Sequence, residues 1–199
     1  MEIVENKNKL TILGRYIIPW AIKHRIEKAL KYVKPKERIL DIGCGNGYLL
    51  KHAKCQERIG IDEYRSLHMT VKNKKLKIKE TKGVTLVKKV NLPSDHFDYI
   101  TMIATIEHLK HPKEILHECS RMLKKDGLLI MTTPKKVVES ILFFLDRGSE
   151  QLSGQEVEHV HETYFNLKLM NKYTGKDLKL MKYKRFQLGV NQLFVYKKK

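Results

Sequence analysis

Between residues 38 and 48 the chain reads Arg-Ile-Leu-Asp-Ile-Gly-Cys-Gly-Asn-Gly-Tyr. A short apolar run ends in three glycines at alternate positions, Gly43, Gly45 and Gly47, and a helix-compatible segment, 48–54, follows. Glycine tolerates positive φ and lets backbone come close to a ligand. A strand, a glycine turn and a helix in that order belong to an open parallel sheet, where ligands sit beyond the carboxyl ends of the strands.

The rest of the chain repeats the alternation. Residues 16–33 read as an amphipathic helix, with Ile18, Ile22, Ile26, Leu30 and Val33 at helical spacing and Pro35 beyond its end. Short strands are expected at 38–41, 58–62, 84–87, 97–104 and 128–131, the last stopping before Pro134 and preceded by a turn at Asp126-Gly127. Helices are expected at 66–79 and 113–123. Such alternation implies a largely parallel sheet with helices on both faces and right-handed crossovers. Further on, 135–145 and 163–171 read as helices around a polar stretch, 146–158. Residues 178–186 and 192–196 read as a closing strand pair.

Composition bounds the function class. A chain of 199 residues with 42% hydrophobic and 31% charged residues suits one globular core. No apolar run reaches the ~20 residues of a membrane span, and the charged N-terminus lacks an apolar signal core. A cytoplasmic protein without a membrane span is therefore expected. Cys44, Cys55 and Cys119 form no CxxC pair, so neither a disulfide framework nor a zinc ribbon is read from them. The net charge of +18 would attract nucleic acid, anionic membrane or phosphorylated substrates. Its excess is lysine, spread widely and without interleaved aromatics, which favours a solvated surface over a nucleic-acid platform.

The glycine loop excludes two ligands. The dinucleotide fingerprint G-x-G-x-x-G needs a third glycine where Tyr48 stands, and the phosphate loop needs a terminal Gly-Lys-Ser/Thr that is absent. Asp41, two residues before the first glycine, would repel a pyrophosphate but suits a cationic ligand. Asp62 ends the second strand, where a carboxylate can accept both hydroxyls of a ribose.

These residues, with others in the same order, carry a resemblance. Arg38 to Tyr48 resembles motif I of class I S-adenosylmethionine-dependent methyltransferases of the ubiquinone-biosynthesis-like (type 11) kind. Ile59-Gly-Ile-Asp62 is similar to their second-strand acid. Leu92-Pro-Ser-Asp-His-Phe-Asp-Tyr-Ile-Thr, Thr105-Ile-Glu-His-Leu109, Pro112 and Arg121 to Ile130 continue the match. The resemblance covers roughly residues 20–135. It implies a Rossmann-like α/β fold: a seven-stranded, mostly parallel sheet with one antiparallel strand and helices on both faces. It implies S-adenosylmethionine as methyl donor, with S-adenosylhomocysteine as product. By position, Asp41, Gly43, Cys44, Gly45 and Gly47 would surround the methionine end and Asp62 the ribose. Ala104 would lie beside the methionine part. Glu63 stands where relatives carry an apolar residue against adenine, and Asn91 follows Lys88-Lys89-Val90 where relatives carry an acid for the adenine amine. The whole of 1–199 is then one methyltransferase domain: an N-terminal helical cap, 1–34; a cofactor-binding core, 35–134; a helical or lid insert, 135–176; and a closing strand pair, 177–199.

The sulfonium donor is already activated, so in-line placement of the acceptor supplies much of the rate and no nucleophilic side chain is required. Glu107 and His108, just past the fourth strand, are the candidate catalytic pair, as a proton acceptor or as a cap on the turn. His159 and His161 lie in the polar stretch as further candidates. Some relatives bind a divalent ion through Glu-x-x-Glu-His; Ala104 replaces the first glutamate here, so no metal site is assigned. The expected acceptor is an oxygen or nitrogen of a small molecule, of lipid or sugar type, and Lys88 and Lys89 open the site to an anionic one. Tyr16, Trp20, Tyr164 and Phe165 are candidate pocket aromatics. Two alternatives stand beside this reading. One is a tRNA or rRNA methyltransferase, which the charge favours and the absence of an Asn/Asp-Pro-Pro-Tyr motif after the fourth strand opposes for amino-base methylation. The other is a noncatalytic cofactor-binding partner subunit. Oligomeric state is left open.

Overall fold

A computed structural model of the chain describes residues 12–45, 47–62, 76–80, 92–136 and 163–199. Helix α1, Ile12–Leu30, leads into strand β1, Lys36–Ile42, the glycine loop and a short helix α2, Tyr48–His52. Strands β2, Cys55–Asp62, and β3, Leu76–Glu80, follow, then β4, Phe97–Ile103, and a 3-10 turn, Ile106–His108. Helix α3, Pro112–Met122, runs directly into β5, Leu123–Pro134. Helix α4, Leu167–Thr174, precedes β6, Leu178–Phe186, and β7, Asn191–Lys198.

The strands form one mixed sheet in the order β3-β2-β1-β4-β5-β7-β6. Neighbours from β3 to β5 are parallel, and β7 runs antiparallel to both β5 and β6. The order turns around at β1 and β4, whose carboxyl ends flank the glycine loop, so the crevice opens at the switch point of the sheet.

Helices cover both faces. Along β5, Leu129 and Met131 point to one side, where they meet Ile115, Leu116 and Cys119 of α3 and Met170 of α4. Ile130 points to the other, beside Ile26 and Ala29 of α1 and Leu49 and Leu50 of α2. Period-2 alternation thus feeds two cores from one strand, and each such fully buried side chain contributes about 1.5–3 kcal/mol.

Four sequence expectations need correction. Residues 76–79, expected to finish a helix, lie in β3 paired with β2; their Leu-Lys-Ile-Lys alternation has the period of a strand, which the surrounding lysines obscured. The rest of that expected helix and the expected strand at 84–87 lie outside the described residues. Asp126-Gly127 does not separate α3 from β5 by a turn: Asp126 takes φ 65° inside the strand, and the β4 pairing shifts register there. The strand also runs through Pro134 rather than stopping before it. Finally, α4 begins at Leu167 and not at 163, because Asn166 is its N-cap, with Oδ1 accepting from the Leu169 amide at 2.9 Å.

Candidate active site

The glycine loop is held by the end of β2. The Gly43 and Cys44 amides donate to the Ile61 carbonyl at 2.8 and 3.2 Å, and the Gly45 amide donates to Asp62 Oδ2 at 2.6 Å. The Gly47 amide donates to the Cys44 carbonyl at 2.8 Å. Gly43, Gly45 and Gly47 all take positive φ, which explains why glycine recurs there. Four loop amides are spent within the chain. A pyrophosphate cradle depends on free amide donors, so the loop's hydrogen bonding agrees with its sequence in disfavouring a phosphate ligand.

What the loop offers instead is negative charge. Asp41 and Asp62 stand at or near the carboxyl ends of adjacent strands, and both are buried. Thr101, directly across on β4, donates its hydroxyl to Asp41 Oδ1 at 2.6 Å. Burial pushes the Asp41 carboxyl up to about 7; the Thr101 hydrogen bond works against that shift and the Asp62 charge works with it. A cationic amine or sulfonium in the crevice would relieve the cost of ionising Asp41. A vicinal diol would offer donors to Asp62. The residues present therefore fit a cationic, ribose-bearing and phosphate-free group.

Ala104, just past β4, holds φ 52° while its amide donates to the Thr132 carbonyl at 2.9 Å. A non-glycine residue in this region is strained, and the turn it makes carries Thr105 against the loop. A Cβ built on Gly43 would lie 2.2 Å from Thr105 Oγ1. The Cys44 side chain packs into the core beside Leu49 and Leu50, with its thiol 3.9 Å from the Gly45 carbonyl of the loop.

Glu107 and His108 part company. Glu107 is fully buried, and neither carboxyl oxygen has a hydrogen-bond partner among the described residues. Burial pushes it up to about 7, opposed by its own backbone amide and then by the nearby Arg25 guanidinium of α1. The Thr133 hydroxyl lies close by but donates to the Pro134 carbonyl at 3.4 Å. Desolvation also lowers Arg25. The Glu107 carbonyl accepts the Thr163 amide at 3.1 Å, which brings the segment before α4 to the same edge. His108 is exposed. Tyr164 is half-buried there and Phe165 is core, while Tyr16 and Trp20 are exposed on α1. Glu63, Asn91, Lys88, Lys89, His159 and His161 lie outside the described residues. Among the described residues no three His, Cys, Asp or Glu side chains gather as a metal site.

Sequence reasoning missed Thr101, Thr105 and Arg25. Thr101 carries a findable signal, a threonine inside an otherwise apolar strand. Thr105 and Arg25 carry none, because their roles depend on contacts far along the chain.

With this geometry in view, comparison with known proteins is specific. A family model described as methyltransferase domain matches residues 15–188. The chain is 28% identical over 120 residues to the ubiquinone biosynthesis O-methyltransferase of Alkalilimnicola ehrlichii, covering 58% of this chain and 48% of that protein. It is 29% identical over 171 residues to the mitochondrial enzyme of the same name from Saccharomyces cerevisiae, covering 77% and 55%. The chain thus spans about half the length of these curated relatives. A solved structure from Pyrococcus horikoshii superposes with TM-score 0.72 at 17% identity, covering 96% of each chain, a likeness of fold.

Proposed function

Since the chain belongs to the methyltransferase-domain family, and is thereby an S-adenosylmethionine-dependent methyltransferase domain, we propose that it transfers the donor's methyl group to an oxygen or nitrogen of a small-molecule acceptor. The observation that carries this reading is the pair of buried carboxylates, Asp41 and Asp62, flanking a glycine loop whose amides are already spent. Asp41 would hold the methionine amine, Gly43, Gly45 and Gly47 would shape the floor, and Asp62 would accept the ribose hydroxyls. Ala104 would line the methionine part, the Cys44 backbone would border it, and Glu63 and Asn91 would lie toward adenine. The complete seven-stranded sheet, the one-domain division of 1–199 and a cytoplasmic location belong to the same proposal.

Bound there, S-adenosylmethionine supplies a methyl carbon whose departure leaves a neutral thioether. The chain's part would be placement: α1 and the turn after β4 would hold the acceptor beside the cofactor's methyl-bearing end, where the acceptor would gain the methyl group and give up its proton. Glu107, poised near neutrality, or the adjacent His108 would take that proton when the acceptor holds it at neutral pH. The O-methyltransferase names of the relatives support an oxygen acceptor. The +18 charge favours a second reading, RNA as acceptor.

Calorimetric titration with S-adenosylhomocysteine, on wild type and Asp62→Ala, tests the cofactor reading. Binding by wild type that is lost in the variant supports it; no binding to the folded wild type overturns it. Labelled-methyl transfer to total RNA rather than to a small-molecule panel would replace the acceptor class.

A further inference from the structure

The exposed large apolar side chains among the described residues fall on two elements. Tyr16, Ile17, Trp20 and Ile22 are on α1; Met181 and Leu188 are on β6 and the turn after it. These elements are tied together. The Gln187 side-chain amide donates to the Ala21 carbonyl at 3.0 Å. The Trp20 ring lies 5.2 Å from that of His24, which meets Phe186 edge-on at 5.8 Å. Gln187 and Leu188 both take positive φ in the turn, and Leu188 is fully exposed at its tip. Asn191, the first residue of β7, pairs with Pro134, the last of β5. The turn, and α1 beside it, therefore stand at the carboxyl edge of the sheet, the edge that carries the glycine loop.

The surroundings are basic. Lys182, Lys184 and Arg185 are exposed on β6 and Lys23 on α1, in a chain of net charge +18. Lysines on an edge strand alone would only guard it against edge-to-edge pairing. Here Lys182 and Lys184 pair with Val195 and Leu193, on the face of the sheet that α1 covers, and that face also exposes tryptophan, tyrosine, isoleucine and leucine, which a solvated surface does not explain.

We propose that this face docks on an anionic lipid bilayer, with Tyr16, Ile17, Trp20 and Leu188 at the level of the headgroups and Lys182 and Lys184 on the lipid phosphates. Tryptophan and tyrosine suit that boundary because one end of each ring is apolar and the other polar. The basic residues gain from the negative surface potential of such a membrane. RNA would satisfy the same charges, but aliphatic side chains such as Ile17 and Leu188 gain nothing against sugar and phosphate. No helix of the described residues is long and apolar enough to cross a membrane, so the contact is peripheral. Docking would turn the carboxyl edge toward the lipid. It does not depend on which acceptor the site takes.

Trp20 is the chain's one tryptophan, so its fluorescence reports on this face directly. The full chain is titrated with vesicles of phosphatidylcholine containing one-third phosphatidylglycerol, and with pure phosphatidylcholine. Expected are a blue shift and quenching by brominated lipid with the anionic vesicles, both suppressed at high salt. The variant Ile17→Ser/Leu188→Ser, altered only at exposed positions, is expected to bind the vesicles about tenfold or more weakly while keeping S-adenosylhomocysteine binding. An unshifted Trp20 overturns the proposal. So does vesicle binding that the double variant leaves unchanged, or a Trp20 response to total RNA and not to vesicles. Failure of the S-adenosylhomocysteine titration would sink the cofactor reading and leave this one standing.

Discussion

The backbone amide of Gly45 donates to Asp62 Oδ2 across 2.6 Å, joining the glycine loop to the end of the neighbouring strand. The carboxylate proposed to hold the ribose is thus also the group that holds the loop in shape. One side chain couples the local fold to ligand binding, and the two roles can be separated by substitution.

Asp62→Ala removes a charge-assisted hydrogen bond, expected to cost about 1.5–3 kcal/mol of stability. Asp62→Asn keeps an acceptor for the Gly45 amide and is expected to recover much of that loss. Neither should bind S-adenosylhomocysteine as wild type does. Denaturant melts and calorimetry read the two effects; wild-type affinity in Asp62→Ala would remove the ribose assignment.

Gly43 and Gly45 predict opposite tolerances. At Gly43 (φ 74°) a methyl group would overlap Thr105 Oγ1 at 2.2 Å, whereas at Gly45 (φ 50°) it meets nothing within 4 Å. Gly45→Ala should cost only backbone strain, about 1–2 kcal/mol. Gly43→Ala adds overpacking, about 1–3 kcal/mol more, which Thr105→Gly in the same chain should relieve. Thermal melts of the three variants test the ranking; equal loss at both glycines would refute it.

Stability should fall as pH rises from about 4 to 7. Burial lifts the Asp41 carboxyl from 3.8 to about 7 and Glu107 from 4.5 to about 7. Between those limits the unfolded chain has released protons that the folded chain still holds, so each unit of pH favours unfolding until both states are ionised. Asp41→Asn and Glu107→Gln should each flatten the decline, measured by denaturant unfolding across that range. A slope unaltered by either would exclude these carboxyls as its source.

A bound ammonium or sulfonium should reverse the shift at Asp41 and expel its proton. S-adenosylmethionine affinity is then expected to rise by roughly tenfold between about pH 6 and pH 8, and the rise should vanish in Asp41→Asn. An equal pH dependence in wild type and variant would place the cationic end of the cofactor elsewhere.

All three cysteines are buried, and burial pushes each thiol up. Thiolate is the reactive form. The native chain should react with a disulfide reagent far more slowly than the denatured chain, which should titrate three thiols. Fast labelling of native protein mapped to Cys44 would show that this thiol opens with the loop.

Much of the frame was legible because its signals are local. The apolar run before Gly43 marks β1, Gly60 and Asp62 mark the end of β2, and the 178–186 segment reads as the strand it is. The reading slipped where local signals conflicted. Leu76 to Lys79 carries strand alternation inside a lysine-rich stretch, and Asp126-Gly127 has turn chemistry that β5 absorbs as a kink. The start of α4 hinged on Asn166 as a cap, a side-chain choice that hydrophobic spacing does not register.

By itself the sequence determined the chemistry of the crevice: glycines where backbone must turn at positive φ, and carboxylates where a phosphate loop would need amides. These follow from residue types at fixed spacing along a few turns of chain. Only the tertiary structure decided what those groups can do. It set Thr101 against Asp41, sixty residues away in sequence, spent the loop amides on Ile61 and Asp62, pressed Thr105 onto Gly43, and sank Glu107 near Arg25 while leaving His108 in solvent. The physical reason is that pKa, strain and exposure depend on desolvation and on neighbours brought together by strand pairing, and these depend on distance through space rather than along the chain.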